Sequence, residues 1–513
     1  MSLEDHLHAS LSLYMRAPAW VRLAVGHTYR RLPAHWRHGR LHAVHAEHAR
    51  HDSSAHWDEL SCQMEATLAA AAQVPAYAPW HSVLTRRTPV WERLLQLPLL
   101  SKPAIKADLR GHVVAGSTDA QLLPMFTGGS TEHPMRFYLE RGVTRPKESA
   151  YIAHIEQAAL RAAPGDWTLS LRGRTVQGAA EAGGKMWSVE PIKRHLLFSS
   201  DHLEARHMPA HVDALRTLRP PVIQAFPSAL YPLARWLDAH PCPAFSERVT
   251  GVLLTSESVY AFQMALFARV FPNAALVQHY GHSERVLMAT ALGAAPYQFF
   301  PRYGYPELVD ADGRAITEPG VLGEIVGTSF DNAVMPFVRY RTGDMGMWRT
   351  VPQPGVGEAR FEMSRIEGRL QEFVVCRDQR LVSITTLGAA HFAELAPADA
   401  IQFEQHRPGD VLLRVATSQA LCEGSLQRIA QAVNTKTQGG CQVQVELVDR
   451  IARTARGKHR MLIQHLDLSA YLGAAVLPCA SPALASDTNT NTDTDIHTFS
   501  TPPSPQTEEQ LWA

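Results

Sequence analysis

The sequence predicts an α/β protein: a helical N-terminal region, a large α/β core, and a smaller α+β domain after it. Three observations carry this. The first 115 residues are rich in Ala and Leu and poor in Gly. From about residue 120, short apolar runs alternate with helical stretches. A second α/β texture follows the charged run SRIEGRLQEF near residue 370.

Residues 1–115 read as helical, with breaks at Pro33, Pro75, Pro79 and Pro98. Leu11 to Gly26 is the most apolar early stretch, but Arg16 and Arg22 cut it, so no transmembrane segment is expected. It reads as a helix packed on its own domain or as an amphipathic helix on a membrane surface. His35, His38, His42, His45, His48 and His51 recur at three- and four-residue steps and read as a solvated stripe, with metal binding as the alternative.

Residues 116–368 read as the α/β core. Leu122 to Phe126, Val222 to Phe226, Gly251 to Thr255 and Ala274 to Gln278 are brief apolar runs, each followed by a polar or Gly-bearing turn. Lys147 to Ala163 and Ala261 to Phe271 read as helices between such runs. Asp310 to Gly313, DADG, lies between PELV and GEIVGTSF and predicts a hairpin with a glycine-assisted turn. Residues 369–467 read as the smaller domain. Residues 468–513 turn to Ala, Pro, Ser, Asp, Asn and Thr, too little apolar area to offset ordering entropy, and are expected to be disordered.

Composition narrows the function. The 513 residues suffice for a large core. Lys and Arg number 49, as do Asp and Glu, so no basic surplus exists to displace nucleic-acid counterions. Hydrophobic residues at 45% and charged residues at 19% fit a soluble globular chain. Six scattered cysteines without a CxxC pair imply neither a disulfide framework nor a cysteine zinc site, and a reducing cytoplasm is the simpler setting. The opening MSLEDHLHAS has no basic region, so no secretory signal is expected.

Five segments carry chemistry. FTGGSTEHP, Phe126 to Pro134, follows an apolar run; its backbone N–H groups and hydroxyls can surround phosphate, although it is no Walker loop, and an ordinary Ser/Gly turn is the plain alternative. QHYGHSE, Gln278 to Glu284, leaves a strand and ends on a carboxylate that suits Mg²⁺ or stands exposed. PFVRYRTGD, Pro336 to Asp344, ends on an Asp able to accept from two ribose hydroxyls; Arg339 and Arg341 read equally as site residues or as partners of nearby acids. RIEGRLQEF, Arg365 to Phe373, supplies Gly368 as a joint and Arg369 as a planar donor. ARTARGKHR, Ala452 to Arg460, presents Lys458 as a compact charge or as part of a solvated basic turn.

In this order and spacing the five segments resemble the adenylate-forming superfamily of acyl- and aryl-CoA ligases. The likeness is to the phenylacetate–CoA ligase-like branch, including proteins associated with capsular polysaccharide clusters. It runs from about residue 12 to 467 and includes HWDELSCQMEATLAAAAQVPAY and LPLLSKPAIKADL. Its most specific stretch runs from Pro306 to Asp344. The resemblance implies a large adenylate-forming domain and a small C-terminal lid. By position, Thr127, Gly128, Gly129, Ser130 and Thr131 would hold the β- and γ-phosphates of ATP. Glu284 would coordinate Mg²⁺, and Lys458, on the lid, would contact the α-phosphate region; these two are the implied catalytic residues. Asp344 would bind the ribose, with Arg369 nearby. Ser256, Glu257 and Ser258 would border the adenine pocket, and Tyr280, followed by Gly281, would lie against the purine. Gln371 or Glu372 falls at the family's hinge.

The implied activity is activation of an aryl or acyl carboxylic acid as its adenylate, with release of pyrophosphate and transfer to the thiol of CoA. Phe226, Tyr260 and His282 are the expected walls of the acid pocket. The end TPPSPQTEEQLWA resembles a linker into a carrier-protein domain, which makes a carrier protein in trans an alternative acceptor; a low-complexity end is the other reading. One residue departs from the family: Glu132 stands where a glycine is usual. A carboxylate 4 Å from a phosphate charge costs roughly 1–4 kcal/mol depending on screening. Glu132 therefore turns away, pairs with His133 or Arg136, or weakens ATP binding. Two other functions stay open on these grounds: a silent nucleotide- or acyl-binding partner protein, and an adenylating enzyme that transfers to an amine or hydroxyl.

Overall fold

Apolar runs too short to make helices become the strands of one large sheet, and the Ala-rich stretches between them become its covering helices. The computed structural model describes Tyr14 and residues 17–127, 135–163, 165–172, 187–199, 203, 205–369, 372–384, 387, 398, 400–417, 423–452 and 460–471. The N-terminal region carries the longer helices Ala19–Arg31 (α1), His42–Arg50 (α2) and Trp57–Ala71 (α3). The core then runs Leu122–Phe126 (β1), Arg136–Glu140 (β2), Thr144–Ala158 (α4), Thr168–Leu171 (β3), Trp187–Glu190 (β4), His195–Phe198 (β5), Met208–Leu218 (α5), Val222–Ala225 (β6), Pro227–Ala239 (α6), Gly251–Thr255 (β7), Ala261–Val270 (α7) and Ala275–Gly281 (β8). An antiparallel run follows: Met288–Leu292 (β9), Tyr297–Phe299 (β10), Gly304–Val309 (β11), Leu322–Ser329 (β12), Tyr340–Thr350 (β13) and Glu362–Arg369 (β14).

Among the described residues, twelve strands form one sheet in the order β11-β12-β13-β14-β10-β9-β8-β7-β6-β3-β5-β4. Strands β5, β3, β6, β7 and β8 are parallel, with helices α5, α6 and α7 connecting β5 to β6, β6 to β7 and β7 to β8. Alternate residues of β6 reach opposite faces. Val222 joins Tyr151, Ile155, Leu253 and Val277 under α4, whereas Ile223 and Ala225 join Leu230, Leu233, Leu254 and Phe267 under α6 and α7. The run Leu122–Phe126 is a strand but stays outside this sheet, paired antiparallel with β2 in a hairpin of its own. The DADG turn forms as expected: Asp310 accepts from the backbone of Asp312 and Arg314, and Gly313 takes φ +78°.

The smaller C-terminal part begins with Phe373–Val375 (β15) and Leu381–Ser383 (β16). It continues as Ala400–Arg407 (β17), Asp410–Ala416 (β18), Glu423–Lys436 (α8), Gln442–Val448 (β19) and Leu462–Gln464 (β20). Strands β19-β18-β17-β20 make a four-stranded sheet, with Phe403, Leu413, Ile429 and Val433 packed between sheet and α8. Leu468 joins Met345, Phe373, Val375 and Leu381 in an apolar cluster, so described structure runs on to Tyr471; the rest of the expected tail lies outside the described residues.

The histidine stripe is not simply solvated. Helix α2 packs on α4, which buries His45, brings His38 Nδ1 to 3.2 Å from Ser149 Oγ and stacks His42 on His38 at 4.6 Å. Burial holds the His45 imidazole neutral, its pKa lowered to about 4. No helix among the described residues is long and apolar enough to cross a membrane.

Candidate active site

Neighbouring parallel strands of an α/β sheet present their carboxyl ends on one edge, and ligands collect there. Phe226 directly follows strand β6 and Ser256 follows β7, while β8 runs through Tyr280 into the loop that carries His282 and Glu284. Ser256 takes φ +66°, a left-handed conformation uncommon for a side-chain-bearing residue and often found at functional turns. Glu257 accepts from Ser228 N and Ser228 Oγ, both at 3.0 Å, so its negative charge caps the first turn of α6. Ser258 Oγ donates to Glu372 Oε2 at 3.1 Å and thereby joins the β7 edge to the residue at the expected hinge. Tyr260 and Phe226 are buried, Phe226 in the apolar cluster under α6. Burial first, then the charges of Glu372 and Glu257, push the Tyr260 phenol well above its ordinary pKa.

A second polar group forms where β8 faces the β12–β13 hairpin. Tyr280 Oη donates to Asp344 Oδ2 at 3.0 Å, and His282 Nε2 lies 2.8 Å from Tyr280 Oη and 3.4 Å from Asp344 Oδ2. With the phenol donating to the carboxylate, Nε2 must carry the imidazole proton and donate to the phenol oxygen. Burial and the Asp344 charge raise the Tyr280 pKa well above 10.0, so the phenol stays protonated. Asp344 is placed by a tight turn: Gly343 takes φ +79°, Asp344 N donates to Thr342 Oγ1 at 3.0 Å, and Thr342 Oγ1 donates to Ile325 O at 2.7 Å. The arginines of PFVRYRTGD are structural partners: Arg339 pairs with buried Glu307 and Arg341 with Glu324.

Glu284 is buried, and its Oε1 accepts from Tyr340 Oη. Lys102 Nζ stands 4.0 Å from the same oxygen, donates to Thr342 O at 3.2 Å, and lies 5.9 Å from the centre of the Tyr340 ring. Sequence reasoning assigned Lys102 no chemistry. It reaches the site because Leu100 and Tyr340 form a bridge, Leu100 N donating to Arg339 O and Arg341 N to Leu100 O, each at 2.9 Å. The only signal in the sequence was the segment LPLLSKPAIKADL itself. Two buried nitrogens here, His279 Nε2 and His282 Nδ1, have no hydrogen-bond partner among the described residues. Burial lowers the His279 pKa to about 4.

Thr127 closes the base of the β1–β2 hairpin: its N donates to Met135 O and its Oγ1 accepts from Met135 N, each at 2.9 Å. Gly128, Gly129, Ser130, Thr131 and Glu132 lie outside the described residues, as do Gln371 and Lys458. Gly281 ends β8, where an added Cβ would come within 3.0 Å of His279 Cε1. Arg369 ends β14 in register with Asp344, which sets its backbone beside the expected ribose ligand.

The fold that positions these groups is that of the adenylate-forming acyl- and aryl-CoA ligases, as the sequence resemblance implies. A 2-hydroxyisobutyryl-CoA ligase, solved in the postadenylation state with 2-HIB-AMP, superposes with TM-score 0.60 at 15% identity over 82% of this chain and 93% of that one. An acyl acid amido synthetase, AtGH3.15, solved with 2,4-DB, superposes with TM-score 0.55 at 12% identity over 85% of this chain and 96% of that one. In sequence, the protein CapK of Staphylococcus aureus is 21% identical over 377 residues, 72% of this chain and 80% of CapK. The phenylacetate-coenzyme A ligase of Pseudomonas putida is 34% identical over 73 residues, 14% of this chain and 16% of that ligase. No protein-family model matches the sequence.

Proposed function

We propose that the protein activates a small carboxylic acid with ATP, releases pyrophosphate, and passes the acyl group from the adenylate to a thiol, of CoA or of a carrier protein in trans. The observation that carries this reading is the meeting of Glu284, Lys102 and the Tyr280–Asp344–His282 group at the carboxyl edge of the sheet. An acid oxygen attacks the α-phosphorus of ATP, the bond between the α-phosphorus and its bridging oxygen breaks, and pyrophosphate leaves. The thiol sulfur then bonds to the acyl carbon, and AMP departs.

Some roles rest on the placed atoms and the rest on the family resemblance. Asp344, whose Oδ2 accepts from Tyr280, offers acceptors for ribose hydroxyls. Tyr280 and Gly281 border the purine, as do Ser256, Glu257 and Ser258, with the Glu257 carboxylate engaged by Ser228. The loop from Thr127 to Thr131 would surround the β- and γ-phosphates, and Arg369 would approach the ribose. Glu284 fits Mg²⁺: a buried carboxylate at a strand end, one oxygen held by Tyr340, suits a hard ion that takes one or two carboxylates beside phosphate oxygens. When bound, that ion supplies neutralising charge to the phosphate oxygens. Lys102 and Lys458 would stabilise charge that develops on the phosphates. Phe226 and Tyr260 would wall the acid pocket, while His282 contacts Tyr280 and Asp344 on the ribose side. A reducing cytoplasm is the proposed setting.

The fold shared with an acyl acid amido synthetase supports a second reading, in which an amine takes the acyl group. ATP–pyrophosphate exchange over a panel of aryl, fatty and hydroxy acids tests adenylation. Added CoA, carrier protein or amines then identify the acceptor. Lys458→Ala is expected to lower exchange by about 10²–10³-fold with an unchanged melting profile. Wild-type exchange in that variant would remove its role; no exchange by the parent protein with any acid would overturn the reading.

A further inference from the structure

We propose that Glu404, His406 and His465 form a binding site for a divalent first-row transition ion, zinc foremost, on the outer face of the small C-terminal sheet. Strand pairing brings the three together. Strands β17 and β20 run parallel with Glu404 opposite Ile463 and Gln405 opposite Gln464, and His465 N donates to Gln405 O at 3.0 Å, so the ladder continues to set His406 beside His465. Glu404 and His406, two residues apart on one strand, share a face. The opposite face is locked: Gln405 exchanges hydrogen bonds with Val375 at 2.8 Å each way, and Gln464 Nε2 donates to Gln405 Oε1 and to Phe373 O, each at 2.8 Å. The register cannot slip without breaking these bonds.

The ligand atoms already converge. His406 Nε2 lies 3.0 Å and His465 Nε2 2.9 Å from the same Glu404 Oε1, and all three ligand atoms fall within 4.8 Å of one another. Around a tetrahedral zinc with bonds near 2.0–2.1 Å, ligand atoms stand about 3.3 Å apart, so the three atoms are already near the spacing an ion requires, and binding turns the two exposed rings out of their stack until both lone pairs converge on it. The imidazoles stack at 3.9 Å and 9°, each with its Nε2 within hydrogen-bond distance of one oxygen; an ion takes the Nε2 lone pair of each ring, with the proton on Nδ1. Arg414 holds the other carboxylate oxygen, Oε2, and itself lies near Glu446, which fixes the carboxylate with Oε1 toward the rings. Water completes the set. Two nitrogens and one oxygen favour zinc, copper, nickel or cobalt over magnesium, which separates this site from the all-oxygen chemistry at Glu284.

An ion here staples β17 to β20, the strand by which the chain returns after residues 453–459, the segment that carries Lys458. The site needs no nucleotide and stands apart from the adenylation reading. The test uses the full chain stripped by a chelator and titrated with zinc against a competing zinc-sensitive dye. The expected result is uptake of one ion per chain, weakened at least about tenfold by His406→Ala, His465→Ala or Glu404→Gln and unaffected by excess Mg²⁺. Replacing His35, His38, His42 and His48 together should leave that uptake unchanged. Cobalt should give the visible absorption of a four-coordinate site in the parent protein and not in His406→Ala. Both imidazoles are exposed, so the alanine variants keep the core beneath. No uptake by the parent protein, uptake untouched by the three substitutions, or uptake that follows the N-terminal histidines would overturn the proposal.

Discussion

Lys102 shows how one residue acquires a role from its neighbours. Its side chain is one-third exposed, 34%, and its ammonium sits 4.0 Å from a buried carboxylate at the edge where a triphosphate is proposed to bind. A unit charge at that distance from another interacts by about 4 kcal/mol at an effective dielectric near 20, enough to influence both ATP binding and the charge that develops as pyrophosphate leaves. Lys102→Ala is therefore expected to lower ATP–pyrophosphate exchange by about 10–100-fold, with the thermal midpoint moved by only a few degrees. Lys102→Arg should recover part of the loss, because the positive charge remains. Exchange at the parent rate in the alanine variant would make Lys102 a mere surface partner of Glu284. Nothing in the local sequence distinguishes this lysine from Lys106, four residues on. Glu284 and Asp344 were nameable because each ends a recognisable strand-turn segment; Lys102 was not, because the bridge between Leu100 and Tyr340 that delivers it joins residues 240 positions apart.

Elements were legible where they depend on their own residues and obscure where they depend on partners. Gly251–Thr255 and Val222–Ala225 match their apolar runs almost residue for residue, since a strand buried on both faces is mostly apolar, with Gln224 the buried polar exception in the second. That Leu122–Phe126 would stand outside the main sheet was not legible, because only its pairing with Arg136–Glu140 decides it. The arginines of PFVRYRTGD stayed ambiguous for the same reason. Arg339, at φ +49°, pairs with Glu307 and donates to Leu95 O at 3.2 Å and Leu97 O at 2.8 Å, so one guanidinium joins β11, the entry to β13 and the segment leading to Lys102. Burial pushes the Glu307 carboxyl up and the Arg339 charge pulls it back. Glu307→Ala would leave a buried guanidinium short of its counter-charge, and a loss of about 3–5 kcal/mol is expected in urea denaturation. A loss below about 1 kcal/mol would show that the carbonyl oxygens alone satisfy Arg339.

At the scale of the whole molecule, the junction between the N-terminal region and the core carries buried ionisable groups. Asp52 accepts from Arg302 N at 3.1 Å and Tyr151 Oη at 3.2 Å, while Arg302 pairs with Glu59. Burial lowers His45 and His279 from 6.5 to about 4 each, so between those values the unfolded chain binds protons that the folded chain refuses. Their contribution is complete above pH 6.5 and disappears as the pH falls toward 4, roughly 3 kcal/mol for each imidazole. Asp52 acts in the opposite sense: burial raises it from 3.8 to about 7, so stability is lost as the pH rises through that window. Two imidazoles outweigh one carboxyl, and the midpoint in thermal scans should drop between pH 7 and 5. His45→Leu should make that drop shallower, and Asp52→Asn, which keeps an acceptor for Arg302 N and removes the opposing titration, should make it steeper. Parallel pH profiles for all three proteins would mean that these groups share their surroundings with water in the folded state.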